Sequence, residues 1–425
     1  MNLVFEKIQS LARHKPFRQR YLGFVDFLVD PLQFMQVLAN KGQALARVRL
    51  GPHSFVFVFS PEAIQEILVK RAKIYVQNPK IFGRIQPVTG KRGLVQLQGE
   101  DSQKARTRAR PIFGDLDAAQ KITEQFTEEM LCCLGNEGTM DVTEEMTKLI
   151  LRTALKIFLN IDSPELVQTI GKKFLRLNYL CGIRMRSLAP LPLKVPTLKN
   201  REIGSLRFEI RSLIEKHIAK NRTPSRCDVP NLFQDDQALL DHCMTFLFAG
   251  HETTAASLSF TLLLLAQNPQ YQQAIAQGDT EITLAVYKES LRLFPPAYML
   301  AREASVADCL LGKKIRKKDQ VLLAIAAIHR NPNIFKDPHL FRPERFFKNA
   351  NYGFAFLPFG AGPKSCIGER LAYLEAGVVL RLVCQKIQFF TDVTEIKFEP
   401  LITLHPVCSQ TIQFKKRKVV SHACR

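Results

Sequence analysis

Cys366 stands in a loop crowded with small and rigid residues, Phe356-Leu-Pro-Phe-Gly-Ala-Gly-Pro-Lys-Ser-Cys-Ile-Gly-Glu-Arg370. Two glycines and two prolines shape the approach to it, and Gly368 follows. An apolar stripe at helical spacing (Leu371, Leu374, Val378, Leu382) begins at once afterwards. The loop therefore predicts a cysteine at a helix N-terminus, where free N–H groups and the helix dipole favour a thiolate over a thiol. Such a thiolate can be a nucleophile, a redox thiol or a metal ligand. No second cysteine lies nearby, which argues against a CxxC redox pair and a cysteine-rich zinc site. A second polar constellation, Ala249-Gly-His-Glu-Thr-Thr254, interrupts the longest helical pattern, 237–268. Glycine and two β-branched threonines weaken a helix there, and a threonine hydroxyl can bond back to a carbonyl one turn earlier. An acid inside a stretch otherwise rich in Leu, Phe and Ala suits a site that holds water and a proton donor. The plainer alternative is a helix kink with an exposed glutamate.

The elements that must position these residues are mostly helical. Asp30-Pro31 caps a helix to Ala39, and residues 1–30 read as a short irregular or helical arm. Ala46–Leu50 and Ser54–Phe59 read as strands joined at Gly51-Pro52, and Ser60-Pro61 starts another helix. Residues 77–98, with five Gly and Pro positions, read as one long irregular segment of the kind that often carries function. Helices are predicted through 117–180, broken by the prolines of Leu188 to Pro196, and again over 198–219. Gly99–Arg110 would project Arg106 and Arg110 from one helix face, which taken alone is more often a solvated surface. Glu289 and Arg292 form an i, i+3 pair ahead of Pro295-Pro296. Ile387–Phe390 and Gln410–Phe414 read as strands.

The spacing Phe359-x-x-Gly362-x-Lys364-x-Cys366-x-Gly368 resembles the haem-binding loop of the cytochrome P-450 family. Three further motifs occur in that family's order, and the resemblance spans about Asp30 to Phe414. It implies a mainly α fold with a minor β-region, in one domain over residues 1–425. It implies haem b (iron protoporphyrin IX), with Cys366 as the proximal iron ligand. Glu252 and Thr253 match the acid–alcohol pair of an oxygen-activating groove. Arg106, Arg302 and Lys364 match propionate-binding positions, and Phe359 and Gly368 the cofactor-binding loop. Ser102 stands where an aromatic propionate partner is usual, and Lys364 keeps the charge of the usual arginine or histidine without its planar fork. Glu289, Arg292 and Arg345 match a buried structural network. Phe82, Ile85, Ala297 to Leu300 and Leu401 to Leu404 would border the substrate.

The activity so implied inserts one oxygen atom of O₂ into a small apolar, lipid- or terpenoid-like substrate. The two electrons would come from a separate acidic ferredoxin or flavodoxin. Two alternatives are a haem-thiolate peroxygenase or isomerase needing no reductase, and a non-enzymatic haem or lipid binder. The net charge of +21 suggests an acidic partner, and peripheral membrane contact is compatible with it. No nucleic-acid signature accompanies the charge, so nucleic acid is not the expected partner. No apolar run is long enough for a transmembrane helix. Ten scattered cysteines read as mostly buried, reduced thiols in a cytoplasmic protein.

Overall fold

A computed structural model describes residues 26–50, 53–187, 190–221, 228–233, 236–407 and 410–417. The N-terminal arm up to residue 25, the turn Gly51-Pro52, the start of the Leu188–Pro196 break and the end of the basic tail lie outside the described residues. Helices dominate and the sheets are small. The chain clusters into two compact units, one of residues 1–79, 297–340 and 352–365, the other of 80–296, 341–351 and 366–425.

The first unit is built on a five-stranded sheet in the order Leu45–Leu50, His53–Val58, Gln320–Leu323, Leu300–Ala304, Tyr75–Gln77. Only the pairing of His53–Val58 with Gln320–Leu323 is parallel. Its helices start where cap chemistry places them. Asp30 accepts from the Gln33 N–H at 2.9 Å ahead of Pro31, and Ser60 accepts from the Ala63 N–H at 3.2 Å ahead of Pro61. The buried face gathers Val56, Val58, Ile64, Tyr75, Val321 and Phe335.

The second unit holds the longest helix, Asp236–Gln267, which is buried along most of its length. It packs against Val142–Leu159, and this contact fixes Gly250: a Cβ there would lie 2.4 Å from a ring carbon of Phe158. Glycine at that point is a packing requirement as well as a weak point in the helix. One network of buried charges here is fully paired. Arg292 Nε donates to Glu289 Oε2 at 2.7 Å, Arg345 Nε to Glu289 Oε1 at 3.0 Å, and the Arg342 backbone N–H to Oε1 at 2.9 Å. Glu289 and Arg292 are fully buried. The pair the sequence leaves open as a surface bridge is thus the centre of a network tying Thr280–Leu293 to the 342–345 segment.

Three expectations are corrected. Residues 77–98 are irregular only in part: 79–89 form short helical turns, Pro79–Phe82, Gly83–Ile85 and Gln86–Thr89, because successive short apolar stretches each find the core, while 90–98 remain bends and turns. Ile85 is itself a core residue and Phe82 packs against that core. The all-helical reading of 117–180 misses the strand Glu137–Asp141, which pairs with Thr411–Lys416, a partner far away in sequence. The cysteines are not mostly buried: of seven described, all free, Cys132, Cys133, Cys309 and Cys366 are exposed.

Removing Glu289 would strand a buried guanidinium, a change that typically costs about 3–5 kcal/mol. Denaturant unfolding of Glu289→Ala should show a loss of that size. Lys148→Ala, which breaks only exposed contacts to Glu144 and Glu145, should stay within about 1 kcal/mol.

Candidate functional site

In the second unit, Cys366 precedes the helix Glu369–Lys386, whose N-cap is Gly368. The helix therefore begins three residues after the cysteine rather than directly at it. The sulfur accepts a hydrogen bond from the Gly368 N–H, which lowers its pKa, and Arg106 lowers it further. Burial nevertheless dominates and pushes the thiol up, with Glu369 adding to the rise. The cysteine has accessible surface and yet is densely surrounded, so without a bound cation the protein favours the thiol. That corrects the expected preference for thiolate: desolvation outweighs one N–H donor and a nearby guanidinium. A metal ion changes this balance, since a coordinating thiol is deprotonated outright.

Gly368 has little freedom. A Cβ there would lie 3.1 Å from Phe113 Cε1 and 3.9 Å from the Cys366 sulfur. Phe113 belongs to a ring triad with Phe158 and Phe246, centroids 5.6–5.8 Å apart. The same Phe158 ring abuts Gly250, so one aromatic cluster supports both the cysteine loop and the polar stretch of the long helix.

Arg106 lies on the helix Gly99–Gly114, half-buried, and burial lowers its pKa against the opposing pull of Cys366. Arg110, one turn on, is exposed, so the two arginines do not share one environment. Ser102 is buried on this helix, where the small side chain packs inward.

On the long helix, Thr253 Oγ1 donates to the Ala249 carbonyl at 2.9 Å, the back-bond that its type and position predict. Glu252 is half-buried. Its Oε1 accepts from the Thr403 hydroxyl at 2.9 Å, and its Oε2 lies 3.4 Å from the Asn178 amide nitrogen. Burial pushes the acid up to about 7 against the lowering effect of Thr403. It is thus a carboxyl group that changes charge near neutrality, as a proton donor at that pH requires. His251 is buried, bonded through Nδ1 to the Leu247 carbonyl, and pushed down to about 4 by burial. Nothing in the sequence points to Asn178 beyond a lone amide in the apolar pattern of Pro164–Arg186, and Thr403 is legible there only as part of a pocket-lining turn.

In the first unit, Arg302 lies on the strand Leu300–Ala304 and is 7% exposed. It donates to the neighbouring Ala301 carbonyl at 2.9 Å and has no carboxylate partner among the described residues. Burial alone pulls it down to about 10. The loop carrying Phe359 and Lys364 runs beside this strand, with Gly360 near Leu300. Gly362, at φ +72°, fits against the Leu68 carbonyl, where a Cβ would come within 1.9 Å. The loop's start is fixed by the Leu357 N–H donating to His329 Nε2 at 2.9 Å. Phe359 and Lys364 are both half-buried.

In the second unit the Cys366 thiol beside Arg106 could ligate a metal, and in the first unit the buried Arg302, with no carboxylate partner among the described residues, could take an anionic group. A cytochrome P450 family model matches residues 22–407. The chain is 29% identical over 399 residues to a cyclooctat-9-en-7-ol 5-monooxygenase of Streptomyces melanosporofaciens, covering 84% of each. It is 29% identical over 412 residues to a cytokinin hydroxylase of Arabidopsis thaliana, covering 81% of this chain and 75% of the other. The fold matches the crystal structure of CYP175A1 from Thermus thermophilus, with TM-score 0.79, 24% identity, and coverage of 94% of this chain and 98% of the other. The chain belongs to the cytochrome P450 family, whose members bind haem, and it is a P450 monooxygenase. No helix among the described residues is long and apolar enough to cross a membrane.

The raised acid has a thermodynamic signature. Below pH about 4.5 Glu252 is protonated in both folded and unfolded chains and contributes nothing. As pH rises toward about 7 the unfolded chain loses this proton while the folded chain keeps it, so stability falls. Above that the cost is constant, on the order of 3 kcal/mol. Glu252→Gln should therefore gain stability relative to the parent between about pH 5 and 7, and parallel curves from denaturant titrations would contradict the assignment.

Proposed function

We propose that this chain is a haem b monooxygenase in which Cys366 ligates the iron and Glu252 with Thr253 delivers protons. The observation that carries the reading is the Cys366 sulfur, held by the Gly368 N–H at a helix start with Arg106 beside it, within a chain of the P450 family. Arg106, Arg302 and Lys364 are assigned to the two propionates of iron protoporphyrin IX. The buried Arg302 supports this most strongly, because it lacks a carboxylate partner among the described residues. Phe359 and Gly368 shape the cysteine loop, and Gly368 leaves the sulfur uncrowded on its own side. With its two units the chain acts as one functional domain.

Haem, when bound, supplies the activation of O₂ and the oxidation of a C–H bond. The chain's residues hold, orient and protonate. Glu252, poised near neutrality, can release and recover a proton at its carboxyl group. Thr253, one residue on, can pass a proton through Oγ1 when its back-bond to Ala249 loosens. The surrounding Leu- and Phe-rich core limits water. This acid–alcohol arrangement favours monooxygenation over a peroxygenase, an isomerase or a passive haem or lipid binder, none of which needs proton delivery of this kind.

The proposed substrate is small and apolar, lipid- or terpenoid-like, a class that fits the relative named as a monooxygenase of cyclooctat-9-en-7-ol. The proposed electron donor is an acidic ferredoxin or flavodoxin. The net charge of +21 supports it, as do exposed Arg110 and Arg370 on the helices that carry Arg106 and follow Cys366. Free exposed thiols support a reducing, cytoplasmic setting.

A screen of lipophilic compounds for the low-to-high-spin shift of the haem spectrum, followed by turnover under ¹⁸O₂, should yield a product carrying one labelled oxygen. Labelled product that forms without a redox chain, or no incorporation from O₂ with any shifting compound, would sink the reading. Thr253→Ala should retain haem and substrate binding but release much of its reducing power as hydrogen peroxide. General acid–base groups contribute about 10²–10⁴-fold, so coupling unchanged from the parent would remove Thr253 from the mechanism. Stopped-flow reduction by an acidic ferredoxin should slow markedly as salt rises, mainly through association. A rate flat in salt would contradict the docking assignment.

A further inference from the structure

Two residues outside the long helix hold the Glu252 carboxyl group from two directions. Thr403 Oγ1 donates to Oε1 at 2.9 Å, and the Asn178 side-chain nitrogen lies 3.4 Å from Oε2. Thr403 sits in the turn between the paired strands Phe398–Pro400 and Leu404–Pro406. Asn178 sits on the helix Pro164–Arg186. One carboxyl group therefore joins three elements. The other two touch each other directly: a Cβ on Gly182, one turn past Asn178, would lie 3.1 Å from the Leu401 Cβ. Both ties belong to a single joint, and Asn178 and Thr403 are buried.

One atom of this joint suits an acid better than a carboxylate. Asn178 Oδ1 is buried and accepts no hydrogen bond, a costly state for an acceptor. An amide can present either end to a neighbour. Toward an ionised Glu252 it presents its NH₂ group, as observed. Toward a protonated Glu252, whose O–H is a donor, a flipped amide presents Oδ1 and the stranded acceptor is satisfied. The Thr403 hydroxyl donates to the ionised form and favours it.

Few other charges bear on the group. His251, the adjacent residue, is kept neutral by burial. Cys181 on the Asn178 helix is held as a thiol, pushed up to about 12 by burial, with Arg184 lowering it and Glu252 itself raising it. On the hairpin, Glu399 acts on His405, whose pKa burial lowers. None of these forms an ion pair with Glu252 among the described residues.

We propose that Asn178 and Thr403 are positioning residues that clamp Glu252 in a protonation-dependent way, coupling the charge of that acid to the seating of the Pro164–Arg186 helix on the 401–404 turn. In the ionised state both ties are donors to the carboxylate and hold it against the joint. On protonation the Asn178 amide turns over, and the Thr403 hydroxyl is left to a weaker acceptor. A shift of helix or turn then changes how readily Glu252 binds its proton. By linkage, the proton changes how tightly the joint closes. The use of the clamp in turnover rests on the reading of Glu252 as proton donor; the clamp itself rests on this geometry.

The test is pH-difference infrared spectroscopy of the carboxylic C=O stretch on the haem-loaded protein, with Glu252→Gln identifying the band. The parent should titrate near 7. Thr403→Val removes a donor to the charged form and should move the midpoint upward by about one pH unit. Thr403→Ser should restore it. Asn178→Leu should instead move it downward and shift the frequency of the protonated band, because the flipped amide no longer accepts the O–H. The pH profile of coupling between electrons consumed and product formed should follow the same midpoints. A Glu252 midpoint unmoved in both Thr403→Val and Asn178→Leu overturns the proposal. Should Glu252→Gln couple as well as the parent, Glu252 would not be the proton donor; the infrared midpoints would still decide the clamp.

Discussion

Burial of charge is the constraint on which this molecule turns. Taking an ionised group out of water is costly unless a partner compensates it. The second unit meets that cost in full at Glu289, Arg292 and Arg345, and again at Asp241, which pairs with Arg211 and accepts the Arg92 N–H at 2.9 Å. Three other groups meet it only in part. Cys366 has one backbone donor and a guanidinium and is still held as a thiol. Glu252 has a hydroxyl and a distant amide and is pushed up to about 7. Arg302 has a neighbouring carbonyl and is pulled down to about 10. Fully paired charges hold the fold, whereas incompletely paired ones are where a ligand or a proton has work left to do.

The long helix shows how the fold tolerates such groups. A helix buried on nearly every side reads as uniformly apolar, and most of Asp236–Gln267 does. Its polar stretch is admitted because three of its side chains find something specific: Thr253 the Ala249 carbonyl, His251 Nδ1 the Leu247 carbonyl, Glu252 the Thr403 hydroxyl. Gly250 lets Phe158 approach, and through Phe113 the same ring cluster reaches the loop of Cys366. Packing and chemistry are thus set by common residues, so a change at either glycine would be felt at both polar groups.

Much of this was legible in the chain itself. Caps followed by proline gave helix starts at Pro31 and Pro61, because side-chain and backbone effects there are local. The Gly- and Pro-shaped loop around Cys366 and the acid–alcohol pair stood out because their residue types conflict with their surroundings. What escaped was non-local. The strand Glu137–Asp141 exists only through its pairing with Thr411–Lys416, and its own sequence carries a glycine and little β-branching. The helix start after Cys366 is visible in sequence, whereas the crowding around its sulfur, which decides its protonation, is not. Asn178 and Thr403 were hidden for the same reason: nothing in either segment announces that a carboxyl group from a third one lies between them.

Incomplete compensation at Cys366 has the sharpest spectroscopic consequence. If the sulfur ligates the iron, bound metal would complete the charge balance that the Gly368 N–H and Arg106 leave unfinished. The reduced, CO-bound protein should then show the strongly red-shifted Soret band of thiolate ligation, and Cys366→Ala should lose it. A Cys366→Ala protein that binds haem and keeps the red-shifted band would contradict the assignment.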